Sequence, residues 1–391
     1  MGNAGIIADD KLDHALAAGL VPERLQAFVA RARREVDEGL LPAVQVAVAR
    51  HGRVVYADTF GDAGEDSLLC VFSATKAVTS AAAWLLFQAG ELAEDERVAD
   101  IVPEFASNGK DAVRVGQLFT HTAGFPNAPF RPLDWLDRER RLGRFAQWRL
   151  DWEPGSRFEY HPTATMWVIA EIIERRSGMD FRDFVRERLV APLGLDDLFV
   201  GLPEAGNHRV VPCVHVGEAL TAEDYRKMGM PEPPVTEVTE EAILNFNRPE
   251  VRAVGVPGGG GIMSASALAL FYQGLLHGGL AGTELWTADM RASARRIRTG
   301  DMVDPVYRRA ANRGLGIIIA GDDDRHFRGF GRSNSPETFG HNGAGGQLAW
   351  ADPATGLSLG WVTSGFDRNP IRQGRRGVAI SSLAAELCEP A

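Results

Sequence analysis

Residues 73–92, beginning Ser73-Ala74-Thr75-Lys76 and running through Ala81-Ala82-Ala83-Trp84-Leu85-Leu86, decide how this chain is read. The segment is apolar almost all the way round, which predicts a helix that must be buried. At its start, Ser73 lies beside free backbone N–H groups and the positive end of the helix dipole. Both favour an oxygen that gains negative charge. Lys76 follows three residues later, one turn away on the same face, so its amine can reach the Ser73 hydroxyl. Burial disfavours the charged form of lysine, and a lysine in an apolar groove can therefore serve as a base. A capping serine and a lysine reaching to solvent fit these residues equally well.

The spacing itself is uncommon in this chain. With 15 serines and four lysines (Lys11, Lys76, Lys110, Lys227) in 391 residues, chance yields about 0.15 Ser-x-x-Lys matches. A second match, Ser107-Asn108-Gly109-Lys110, sits on an Asn-Gly pair, which marks an exposed turn and predicts a hydrated lysine.

Working outward, Pro22–Glu38 reads as an amphipathic helix with Leu25, Phe28, Val29 and Ala32 on one face. Ala43–Ala49 alternates Val44, Val46 and Val48 with small or polar residues, and Val54–Phe60 follows the turn His51-Gly52 as a return strand. Pro162–Arg176 and Ser264–Leu276 are predicted helices among Pro/Gly/aromatic loops. Strands are expected again at Leu315–Ala320, Gln347–Ala351 and Leu357–Thr363, then a helix at Val378–Leu387. Strands at both ends around a helical middle predict an α/β (α+β) fold with an antiparallel sheet. Residues 1–100 and 300–391 would form the sheet domain, 101–299 an inserted helical domain, and the active site their interface.

Composition excludes several classes. There are 52 acidic and 42 basic residues, a net charge of −10, and no basic block, which argues against nucleic acid or an anionic membrane as partner. No apolar run approaches the roughly 20 residues of a membrane span, and the amino terminus lacks the pattern of a secretory signal. Three widely spaced cysteines fit a reducing compartment. These features predict a cytoplasmic protein. Gly-x-Ser-x-Gly and His-Glu-x-x-His are absent, Cys213-x-His215 has no second ligand pair, and Gly258–Gly261 lacks the Lys-Ser/Thr of a phosphate loop. The glycines are read as a close backbone approach, and neither metal nor organic cofactor is expected.

Further elements set Ser73 and Lys76 in an ordered series: Leu118-Phe-Thr-His-Thr-Ala-Gly124, Trp152-Glu-Pro-Gly-Ser156, Tyr160, Pro192-Leu-Gly-Leu195, Gly258–Ser266 and Gly340-His-Asn-Gly343. From Leu41 to Thr363 this order resembles the serine β-lactamase and penicillin-binding-protein superfamily. The resemblance is nearest to family VIII carboxylesterases and hydrolases related to class C β-lactamases. It implies Ser73 as the acylated nucleophile, Lys76 as its base partner, and Tyr160 as the relay of the proton to the leaving group. It also implies an oxyanion hole formed by the backbone N–H groups of Ser73 and Ala344, with His341, Asn342 and Gly343 along the substrate.

Two departures stand out. Tyr160-His161-Pro162 ends in a residue without a side-chain hydrogen bond, where relatives carry Asn or Ser. His341 stands where lactamases carry a lysine. Phe130, Trp135, Phe145, Trp148 and Trp152 read either as an apolar wall of the cleft, with Trp135 and Trp152 touching substrate, or as the small domain's own core. His121 is read as structural. The expected activity is a serine carboxylesterase acting on a small-molecule ester, with a short to medium acyl chain or bulky apolar groups, as a monomer or homodimer. Alternatives are a β-lactamase, D,D-peptidase or D-aminopeptidase, an acyltransferase on the same fold, or a binder that has lost turnover.

Overall fold

The computed structural model describes residues 7–229 and 239–389. Strands β1 (Ala43–Arg50) and β2 (Arg53–Gly61) come from the start of the chain. Strands β3 (Ile318–Ile319), β4 (Phe339–Gly340), β5 (Leu348–Asp352) and β6 (Leu357–Thr363) come from its end. They form one antiparallel sheet in the order β2-β1-β6-β5-β4-β3. Chain start and chain end meet at the β1–β6 pair, where Val44 lies opposite Thr363 and Arg50 opposite Leu357. The β1–β2 hairpin turns through His51 and Gly52, both with positive φ (55° and 74°), as a two-residue turn with this twist requires.

Alternation along β1 divides the core. Val44, Val46 and Val48 join Leu357, Leu359 and Trp361 of β6 on one face, under Leu25, Phe28, Val29 and Ala32 of α1 (Pro22–Asp37). Ala47 and Ala49 face the other side, where α2 (Thr75–Gln88), α3 (Ala164–Ser177) and α4 (Ala265–His277) share a second core. The small residues are needed there: a Cβ on Gly360 of β6 would lie 2.2 Å from the Ala265 carbonyl oxygen of α4. Helix α4 falls within the 101–299 segment yet packs on the sheet.

Helix α3 stops at Gly178 with φ 70°, a left-handed terminus that glycine supplies without strain. The last helix, α5 (Pro370–Ala385), begins eight residues before the predicted start. It is tied to α1 by the buried Arg376, which donates to Glu35 at 2.5 Å and to Asp367 at 2.9 Å. Only Ile318 and Ile319 of the predicted Leu315–Ala320 strand pair with a neighbour, because the chain turns tightly from Gly314 to Ile317 just before them. No helix among the described residues is long and apolar enough to cross a membrane.

Candidate active site

Helix α2 is buried over most of its length, and Thr75, Lys76 and Thr79 all bond to one segment, residues 257–261. Thr79 Oγ1 donates to the Pro257 carbonyl at 2.8 Å, Thr75 Oγ1 accepts from the Gly261 N–H at 2.8 Å, and Lys76 Nζ donates to the Gly258 carbonyl at 2.7 Å. This is the function of the glycine run. A Cβ on Gly261 would lie 2.7 Å from Thr75 Oγ1, and one on Gly260 would lie 2.6 Å from the Val256 nitrogen.

Lys76 is 1% exposed. Its Nζ also donates to the Pro162 carbonyl at 2.6 Å and to Ser73 Oγ at 3.1 Å. Two of these three partners are carbonyl oxygens, which can only accept. The Ser73 hydroxyl can donate as well as accept, so it is the one partner of the three that can pass a proton to the amine. The geometry thus aims basic character at the serine.

Ser73 lies in the turn before α2, after Phe72, whose φ is 44°. That left-handed conformation costs a bulky residue about 1–2 kcal/mol. It is held by edge contacts of the Phe72 ring with Phe246 and Phe366 at 5.6 and 5.8 Å, and by the Thr75 hydroxyl donating to the Phe72 carbonyl at 2.6 Å. The strained turn leaves the Ser73 N–H without a backbone acceptor among the described residues, and the Ala344 N–H likewise. The two segments touch: a Cβ on Gly343 would fall 2.1 Å from the Val71 carbonyl oxygen.

Tyr160 sits on the irregular stretch before α3, half-buried, with Lys76 Nζ 5.1 Å from its ring centroid. The Thr120–Thr122 turn holds it in place. The His121 ring packs at 4.6 Å against Tyr160, and His121 Nδ1 accepts from the His161 N–H at 3.2 Å. His161 donates through Nδ1 to the Glu159 carbonyl and accepts at Nε2 from the Phe125 N–H. Burial holds its pKa down at about 3, consistent with an imidazole that must keep one nitrogen unprotonated. Pro162, which lacks a side-chain donor, contributes its carbonyl to Lys76.

His341 is buried. Its Nδ1 bonds the Asn342 carbonyl, and Nε2 is buried without a partner among the described residues. Burial first, then the charges of Lys76 and Arg313, hold its pKa well below the usual histidine value, so the ring is neutral with an open acceptor. Its ring centroid lies 6.1 Å from that of Tyr160.

Three sequence expectations are corrected. Asn342 does not face substrate: its Nδ2 donates to the Gly329 carbonyl and its Oδ1 accepts from the Ala349 N–H, which fixes the strand end. Trp135 is 1% exposed and packs against Trp167 and Phe181, each at 5.2 Å, within the helical core. Phe130, Phe145 and Trp148 stack in the same cluster, so these aromatics are core rather than cleft wall. Lys110 is 0% exposed, not hydrated. Trp152 differs from the others: it is half-buried, with its ring 6.0 Å from His161.

One residue escaped the sequence reading. Arg313 lies over the Phe158 and Tyr160 rings at 5.1 and 5.5 Å from their centroids. The only local signal is the Arg313-Gly-Leu-Gly turn, whose Gly316 leaves no room for a Cβ beside Ser80 of α2.

The family model described as Beta-lactamase matches residues 26–384. The esterase/beta-lactamase LipL of Mycobacterium tuberculosis is 26% identical over 318 residues, covering 76% of this chain and 69% of LipL. Among solved structures, a penicillin-binding protein homolog from Caulobacter crescentus superposes with a TM-score of 0.77 and 29% identity, covering 94% of this chain and 98% of the homolog. A family VIII carboxylesterase superposes with a TM-score of 0.74 and 26% identity, covering 96% and 98%.

Proposed function

Because the chain belongs to the Beta-lactamase family, we propose that it is a serine carboxylesterase that works through an acyl-enzyme on Ser73. Ser73 Oγ attacks the ester carbonyl while Lys76 Nζ, held by two carbonyl acceptors, takes its proton. The backbone N–H groups of Ser73 and Ala344 receive the oxyanion. Tyr160 passes the proton to the departing alcohol, and water then repeats the sequence to release the acid. No step calls for a metal or an organic cofactor. The enzyme is taken as cytoplasmic, its partner as a small-molecule ester, and its state as monomer or homodimer.

The observation that carries ester over amide is Pro162. Where the resemblance expects an Asn or Ser side chain to bind an amide, this chain has none, and the Pro162 backbone carbonyl is occupied by Lys76. An ester does not need that contact. Two of the relatives above carry esterase or carboxylesterase in their names.

The test is turnover of p-nitrophenyl butyrate beside nitrocefin, by wild type and Ser73→Ala. The proposal expects butyrate hydrolysis lost in the variant and nitrocefin the slower substrate. Hydrolysis unchanged in the variant would refute the mechanism, and nitrocefin cleaved far faster would replace esterase by lactamase.

A further inference from the structure

Arg313 is a buried cation without an ion pair among the described residues. It is 8% exposed, and its Nε and Nη1 are buried with no acceptor among the described residues. Two other buried arginines are paired, Arg376 with Glu35 and Asp367 and Arg141 with Glu171 and Glu174. Arg252 is likewise buried without an ion pair among the described residues, but its electrostatic neighbours are Cys70 and Glu250, not the groups around Ser73. Asp304 acts on Arg313 electrostatically but makes no ion pair with it. Guanidinium is permanently charged, and an uncompensated buried charge costs several kcal/mol. Folding provides aromatic faces above it, from Phe158 and Tyr160, but no ion-paired carboxylate among the described residues.

Its position ties it to the reacting groups. The Tyr160 ring that Arg313 covers is the ring that Lys76 Nζ approaches at 5.1 Å, so the guanidinium lies one aromatic ring from the base. His341, whose ring centroid is 6.1 Å from that of Tyr160, is neutral and offers only an acceptor nitrogen. The fixed charge that the Lys-to-His departure removes is therefore present, carried by a different segment of chain. A planar fork whose N–H groups lack an acceptor among the described residues matches the two oxygens of a carboxylate.

We propose that Arg313 is a specificity-determining residue that binds a carboxylate on the ester substrate. The preferred substrates are then anionic esters, either half-esters of dicarboxylic acids or esters of carboxylate-bearing alcohols, rather than wholly apolar ones. The proposal rests on the esterase reading and replaces the expectation of bulky apolar groups, since the aromatics read as an apolar cleft wall, Trp152 apart, lie in the core.

The experiment compares kcat/KM for phenyl butyrate, 4-carboxyphenyl butyrate and monophenyl adipate, which put no charge, a charge on the alcohol side and a charge on the acyl side. Wild type is expected to prefer one anionic ester by at least about tenfold, mainly through KM. Arg313→Gln should collapse that ratio, and Arg313→Lys should restore part of it. No anionic preference in wild type, or a preference unmoved in Arg313→Gln, overturns the proposal. If no ester is turned over, the esterase reading fails separately. Arg313 is then judged by whether 3- or 4-carboxyphenylboronic acid binds wild type more tightly than phenylboronic acid, with equal binding counting against it. Should Arg313→Gln not fold, Arg313→Lys compared with wild type on the same ligands decides: an undiminished preference in both, lost at high salt in neither, counts against a charge contact.

Discussion

The chain contains the same four-residue spacing twice, and the two copies serve different ends. At Ser73–Lys76 the lysine amine meets two carbonyls and the serine hydroxyl, at the start of a buried helix. At Ser107–Lys110 the amine donates to the Ser107 and Trp148 carbonyls, while the Ser107 hydroxyl donates away to the Ala146 carbonyl. The second lysine also lies 5.4 Å from the Phe105 ring centroid. It staples 105–110 to 146–148. Burial alone does not distinguish the two, since both lysines are hidden from solvent. What differs is whether the serine oxygen is committed to the fold or left facing the amine.

Substitution separates the copies. Lys76→Met should lower kcat/KM for p-nitrophenyl butyrate by about a thousandfold, in the range of lost general-base catalysis. Tyr160→Phe should cost about a hundredfold or more on an ester with a poor leaving group, and less on the p-nitrophenyl ester, because a good leaving group needs little protonation. Lys110→Met should leave kcat/KM within about threefold but destabilise the protein by about 2–4 kcal/mol in urea unfolding, through two lost hydrogen bonds to buried carbonyls. Equal losses of activity in both lysine variants would erase the contrast.

The smallest effect is on pH dependence. Burial, then the neighbouring Arg149, hold the Lys110 pKa down at about 8, against about 10.4 for an unfolded lysine. Between those values the unfolded chain binds more protons, so stability rises with pH from 8 towards 10 and is lost as pH falls through 8. Unfolding midpoints at pH 7.5, 8.5 and 9.5 should show this rise in wild type and a flatter profile in Lys110→Met.

Periodicity made the scaffold legible. Valines at every second residue of β1 and the apolar stripe of α1 identify elements that the structure retains. Local pattern also brought Ser73 and Lys76 together, because one helical turn sets their distance. It misread Lys110, since Asn108 and Gly109 do form a turn with positive φ (60° and 82°), but a long side chain can fold inward from a surface turn to reach carbonyls. Trp135 and Asn342 were ambiguous for a related reason: whether an aromatic or an amide faces a cleft or a core depends on partners far away in sequence. Arg313 was invisible on the same ground, as its neighbours Phe158 and Tyr160 lie more than 150 positions earlier.

The central claim is that a single serine is set apart by its surroundings. A fluorophosphonate incubated with the intact protein, followed by mass spectrometry and peptide mapping, tests it directly. One adduct on Ser73, absent in Ser73→Ala, is the predicted result. An adduct on Ser107 or another residue, or none at all, would contradict it.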